Sequence, residues 1–161
     1  MKENKYRLVI YCIIGIIISL FVGFISSKIT RQAIPNWYAN LNKPFFSPPN
    51  WIFAPVWSFL YILMGIALGR VWYYGRHNRN KKIAVLYFIF QLTLNGLWSL
   101  IFFGFKIPLL SLIVIIVLWF LIQRCIFWFS LIDQKASLML FPYIAWVSFA
   151  AILNGAIIFL N

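Results

Sequence analysis

Acidic side chains are almost missing from this chain of 161 residues: Glu3 and Asp133 stand against fourteen lysines and arginines, and histidine occurs once, at His77. A serine triad, a carboxylate dyad or a multi-ligand metal site needs several such groups converging in one pocket, and this sequence does not supply them. No acid–base catalytic residue and no metal ligand is therefore assigned. His77 lies in a basic loop and reads as a solvated side chain rather than a haem ligand, which a buried pocket normally provides. Cys12 and Cys125, the only cysteines, both fall in apolar runs and read as small packing residues, not as a disulfide.

Charge of either sign is scarce as well, at 10% of residues, while 64% are hydrophobic and 20% aromatic. That balance lies outside soluble globular usage and indicates an all-α membrane protein. Five apolar stretches, 8–27, 51–74, 83–105, 107–132 and 136–160, reach or exceed the roughly 20 residues that cross hydrocarbon as a helix. A single domain over 1–161, a bundle of five transmembrane helices, follows. The first run is flanked by Lys2, Lys5 and Arg7 like a signal peptide, but it is longer than the usual apolar core and no A-x-A cleavage pattern follows, so it is expected to be retained.

The net charge of +12 owes as much to missing acids as to added bases, and topology accounts for it better than nucleic acid does. With five crossings, Lys2, Lys5, Arg7, Arg70, Arg76, Arg79, Lys81, Lys82, Arg124 and Lys135 share one side, against Lys28, Arg31, Lys43 and Lys106 on the other. The excess puts the N-terminus in the cytoplasm and the C-terminus outside. No Arg-rich, Ser-rich transit segment precedes the first span, which favours a bacterial plasma membrane, with the mitochondrial outer membrane as the alternative. The loop GRHNRNKK, 75–82, reads as an anchor at anionic lipid headgroups.

The later connections are short, so neighbouring helices pack antiparallel. Only the first is long, about 28–50, and it contains NWYANLNKPFFSPPNW, 36–51. Pro35, Pro44, Pro48 and Pro49 fix backbone angles and remove donors, predicting an ordered, mostly non-helical cap on the outer end. Asn50 is expected to cap the second helix, Pro55 to be tolerated near its start, Pro108 to open the fourth, and Pro142 to bend the fifth. Gly15, Ser19 and Gly23, with Gly65 and Gly69, form small-residue faces that bring backbones together, within a chain or between two chains.

Polar and aromatic residues recur at helical spacing: Trp57 and Tyr61; Gln91, Asn95, Trp98 and Phe102; Trp146, Ala150 and Leu153. An amide in hydrocarbon needs a partner, so Gln91 and Asn95 should face the interior and bond another helix, the cap or a ligand. One reading is that these groups fasten helices and the tryptophans mark headgroup belts. The other is that they wall a flat aromatic cavity, lidded by a loop carrying Trp37, Tyr38 and Trp51.

Three blocks, WYANLNKPFFSPPNWIFAPVW at 37–57, QLTLNGLWSLIFF at 91–103 and PYIAWVSFAAILN at 142–154, resemble the tryptophan-rich sensory protein family, also called the translocator protein or peripheral benzodiazepine receptor family. The resemblance covers nearly the whole chain. It implies five transmembrane helices, frequent homodimers, and a pocket for porphyrins, sterols and isoquinoline-carboxamide or benzodiazepine-type drugs. Carried residue by residue, it implies polar contacts from Trp57 and Asn95, a lining of Tyr38, Tyr61, Trp98, Trp146, Ala150 and Leu153, and a lid set by Pro48 and Pro49. The expected function is a membrane receptor or sensor with porphyrin as ligand and no bound cofactor, its propionates reaching Lys43 or Arg31. The alternatives are light-dependent porphyrin degradation, in which Trp57 would carry the redox step, and porphyrin transport. The sterol-recognition pattern of eukaryotic relatives is missing from AAILNGAIIFLN at the C-terminus, so cholesterol import is not implied; VWYYGR, 71–76, fits that loose pattern only formally.

Overall fold

The computed structural model describes residues 5–161; Lys2 and Glu3, invoked above, lie outside the described residues. Six α-helices form: α1 Lys5–Asn36, α2 Phe53–Tyr74, α3 Lys81–Ser99, α4 Pro108–Ser130, the short α5 Gln134–Leu138, and α6 Phe141–Leu160. Among the described residues there is no strand. Five helical stretches are long and apolar enough to cross a membrane: Lys5–Asn36, Asn50–His77, Lys81–Gly104, Pro108–Ser130 and Gln134–Leu160. Each predicted span falls on one of them. The all-helical, five-span membrane architecture read from hydropathy is thus the observed one.

Helix α1 outruns its apolar core. Hydropathy ends the first span at Ser27, yet the helix continues over 28–36 and the long loop begins at Trp37. Lys28, Arg31, Gln32 and Ala33 are compatible with helix, and Thr30 and Asn36 donate to the carbonyls of Ser26 and Gln32. Pro35 sits in the last turn, where it ends the helix rather than breaking it. Hydropathy measures passage through hydrocarbon, so it cannot see a polar extension of the same helix.

Prolines set the other boundaries, with two corrections. Asn50 does not cap α2; it opens a short 3-10 turn, Asn50–Ile52, in which Ile52 N donates to Pro49 O at 3.0 Å, and α2 starts at Phe53 with no side-chain cap. Pro55 falls in that first turn, where a missing N–H leaves no helix bond unmade. Pro108 opens α4 as expected. Pro142 does not bend a continuous helix: the chain breaks before it, between α5 and α6, so that it stands in the first turn of α6. Asp133, the one acidic side chain among the described residues, caps α5, accepting from Ala136 N at 3.1 Å. It also pairs with Arg70 of α2, whose Nη2 donates to Asp133 Oδ1 at 3.1 Å.

In lipid the hydrophobic effect does not press helices together, so close packing and hydrogen bonds must hold them. The glycine faces supply the first of these, and they act within the chain. A Cβ placed on Gly15 would collide with the Gly65 carbonyl, one on Gly65 with the Ile16 backbone, and one on Gly69 with the Cys12 backbone. Hydrogen bonds supply the second. Trp119 Nε1 donates to Ser148 Oγ at 2.8 Å, joining α4 to α6, and Asn154 of α6 lies 2.8 Å from Ser111 Oγ of α4.

The loop over 37–49 is ordered by its own contacts. Lys43 Nζ donates to the carbonyls of Tyr38 at 2.9 Å and Ala39 at 3.1 Å, and it lies over the Tyr38 ring. Asn42 N donates to Asn161 Oδ1 at 3.0 Å, and Asn161 Nδ2 returns a bond to Asn42 O, tying the loop to the end of α6. Tyr38 is buried beneath it, with its hydroxyl 3.4 Å from Ser47 Oγ; burial pushes that hydroxyl above its ordinary pKa, partly offset by the serine.

Candidate functional site

The two interior amides organise the middle of the bundle. Tyr61 of α2 donates to Asn95 Oδ1 at 2.6 Å, Asn95 Nδ2 donates to Tyr143 Oη of α6 at 3.0 Å, and Tyr143 donates to Gln91 Oε1 at 2.8 Å. All four side chains are buried. This chain of bonds gives each member a partner in a medium where an orphan is costly, and it fixes α2, α3 and α6 at one level. Asn95 therefore fastens helices, and it does so while facing a cavity.

That cavity has a volume of about 600 Å³ and lies between α1 and α2, with α3 behind. Helix α1 contributes Leu20, Gly23, Phe24, Ser27, Arg31 and Ile34, which recur three and four residues apart on one face. Facing them on α2 are Ala54, Trp57, Ser58 and Tyr61; Asn95, Trp98, Ser99 and Phe103 close the inner side. Six of the cavity's eighteen lining residues are aromatic, with hydroxyls set among them and the Arg31 guanidinium at an exposed position. Its size falls within the roughly 300–1,000 Å³ of small-molecule pockets.

A second void is far smaller. About 20 Å³ is enclosed by Tyr38, Phe53, Trp57, Trp98, Phe102, Trp146, Ala150 and Leu153, directly under the loop. It has room for about one water molecule. Trp57 and Trp98 border both spaces, their ring centroids 6.3 Å apart, and so form a partition. Trp98 and Trp146 bury indole N–H groups with no hydrogen-bond partner among the described residues.

The expected site residues are thus divided. Trp57, Tyr61, Asn95 and Trp98 line the large cavity, whereas Tyr38, Trp146, Ala150 and Leu153 lie behind the partition around the small void. Pro48 and Pro49 border neither; they set the turn into α2. Trp51, read above as part of the lid, is 73% exposed and borders neither space. Trp37 instead packs against Phe102, ring centroids 5.5 Å apart. Lys43 is engaged by its own loop, which leaves Arg31 as the cation on the cavity.

Of the α1 wall, sequence reasoning named only Arg31 as a ligand contact. The spacing of 20, 23, 24, 27, 31 and 34 was visible, but it straddles Ser27, where the apolar run stops. Phe103 was missed for another reason. Residues Leu100–Gly104 form a π-helical turn, with Phe105 N donating to Leu100 O at 2.9 Å, and the extra residue per turn brings both Phe102 and Phe103 inward.

Comparison with known proteins covers the same span. The family model described as TspO/MBR family matches residues 15–160. The tryptophan-rich protein TspO of Archaeoglobus fulgidus is 44% identical over 147 residues, covering 91% of this chain and 94% of its own. That of Chlorobaculum tepidum is 41% identical over 158 residues, covering 98% and 99%. The translocator protein of Bos taurus is 32% identical over 133 residues, covering 82% and 79%.

Proposed function

This chain belongs to the TspO/MBR family of membrane sensory and translocator proteins, and from that premise we propose that it is a receptor for a flat, largely apolar molecule, porphyrin first among them. The observation that carries the reading is the cavity of about 600 Å³ beside Trp57 and Trp98. Aromatic rings there offer faces for stacking, worth about 0.5–1.5 kcal/mol per pair beyond area burial. Arg31 at an exposed edge can meet an acidic substituent where water still moderates the cost of its charge. Acid–base chemistry has no part in this, and the polar chain through Asn95 serves to hold the wall.

Sensing needs an occupant whose affinity differs between two arrangements of the protein. Helix α1 is the element placed to respond. Only 11% of its most apolar window is buried, compared with 39% for the second and third spans, and its upper half faces the cavity rather than α2. A guest that fills this space bears on the half of α1 that stands apart from α2, beyond the glycine contact that holds the other half. The proposed setting is a bacterial plasma membrane with the loop over 37–49 outside.

The test is a titration of the purified protein in lipid nanodiscs with protoporphyrin, read as quenching of tryptophan emission. A Trp57→Leu protein with unchanged circular dichroism is expected to bind at least tenfold more weakly. Wild-type affinity in that folded variant would refute the pocket.

A further inference from the structure

The hydroxyl groups on the large cavity carry a chemical preference that the aromatic wall does not. Five of the chain's twelve serine and threonine residues line this one space: Ser26, Ser27, Thr30, Ser58 and Ser99. Ser27 Oγ donates to Phe24 O at 2.8 Å, Ser58 Oγ to Ala54 O at 2.8 Å, and Thr30 Oγ1 to Ser26 O at 3.0 Å. Thr30 has one hydroxyl hydrogen and it is committed to that carbonyl, so in the 3.0 Å contact between Thr30 and Ser99 it is Ser99 that donates. Tyr61, on the same wall, commits its hydrogen to Asn95. Each of these five oxygens, on Ser27, Thr30, Ser58, Tyr61 and Ser99, has no hydrogen left to give and at least one lone pair free.

Back-bonding of serine and threonine to a helix carbonyl is ordinary on lipid-facing helices. What is not ordinary is its convergence, from α1, α2 and α3, on one space. While the cavity is wet, water donates to these oxygens. A guest that expels the water without donating in its place leaves them unpaired at about 1–3 kcal/mol for each one fully buried. A guest that brings an O–H or N–H avoids that penalty at the oxygen it reaches.

Resting on the receptor reading above, we infer that the cavity selects, among flat apolar molecules, those carrying a hydrogen-bond donor on the ring edge, through the acceptor oxygens of Ser27 and Ser58. The preference is for a hydroxylated or N–H-bearing polycycle over its alkylated counterpart. It concerns an edge substituent and is separate from any acid that Arg31 meets at the exposed side.

The matched probes are 1-hydroxypyrene and 1-methoxypyrene, which share a ring system and an acceptor oxygen but differ in the donor. Binding is read in nanodiscs as energy transfer from tryptophan to pyrene, with Ala54→Phe, whose ring occupies the cavity, as the reference for probe dissolved in lipid. The hydroxy probe is expected to bind roughly three- to tenfold more tightly, one net hydrogen bond's worth. The Ser27→Ala/Ser58→Ala protein, altered at two exposed positions, is expected to bring the two affinities together. Equal affinities in the wild type, or a preference that survives in the double variant, would overturn the inference while leaving the pocket intact. If neither probe gives transfer above the Ala54→Phe reference, the receptor reading fails with it.

Discussion

Helix α1 meets α2 in two different ways along its length. In its first half Gly15 touches Gly65 and Gly69 lies on the Cys12 backbone, so nothing larger than hydrogen fits between the helices. In its second half the same two helices stand apart around a cavity of about 600 Å³. The change occurs at Gly23, where an added Cβ would strike the Tyr61 ring: Tyr61 fills the crossing like a wedge, and its hydroxyl is held from behind by Asn95. One pair of helices thus supplies both a backbone-to-backbone contact and a wide opening. Where residues are smallest the pair is locked, and the lock lets the other half remain open without the helix coming away.

The comparison breaks most completely at the lock. Gly65→Leu places a side chain against the Ile16 backbone, which cannot rotate aside as a side chain can. The cost should exceed the ~1–3 kcal/mol of ordinary core overpacking. Expected is loss of a monodisperse peak in size-exclusion chromatography, with α1 displaced; a protein that elutes and unfolds like the wild type would show that the glycine contact does not hold α1.

A smaller effect sharpens the contrast between wall and support. Tyr143→Phe removes the hydroxyl that accepts from Asn95 and donates to Gln91, leaving both amides short of a partner. Such bonds in membrane bundles contribute on the order of 1 kcal/mol. Thermal unfolding should shift down accordingly while protoporphyrin affinity changes less than threefold, because Tyr143 borders neither the large cavity nor the small void. A large loss of affinity with unchanged stability would make Tyr143 part of the binding wall.

Span number, the interior placement of Gln91 and Asn95, and the aromatic wall at Trp57 and Trp98 were legible because periodicity and hydropathy record which face of a helix avoids lipid. The position of the opening was not. It depends on where α1 ends, and Lys28, Thr30 and Arg31 look like loop to any measure of hydrocarbon passage although they continue the helix. Nor does spacing reveal the division of the site, since Ala150 and Leu153 share a face with Trp146 whether the space before them holds a guest or about one water. The π turn at Leu100–Gly104 is a third case: it changes which phenylalanines turn inward without altering the sequence pattern from which a regular helix is read. The partner of Asp133 was hidden because Arg70 lies 63 residues away and was counted only as a topological charge.

The most direct test of a guest seated between α1 and α2 compares blockage on the two sides of the tryptophan partition. Ala54→Phe fills the large cavity, and Ala150→Leu fills the small void under the loop. With both proteins folded in nanodiscs, protoporphyrin titration should show at least a tenfold loss of affinity for Ala54→Phe and wild-type affinity for Ala150→Leu. The reverse pattern, binding kept by Ala54→Phe and lost by Ala150→Leu, would place the guest beneath the loop and contradict the account.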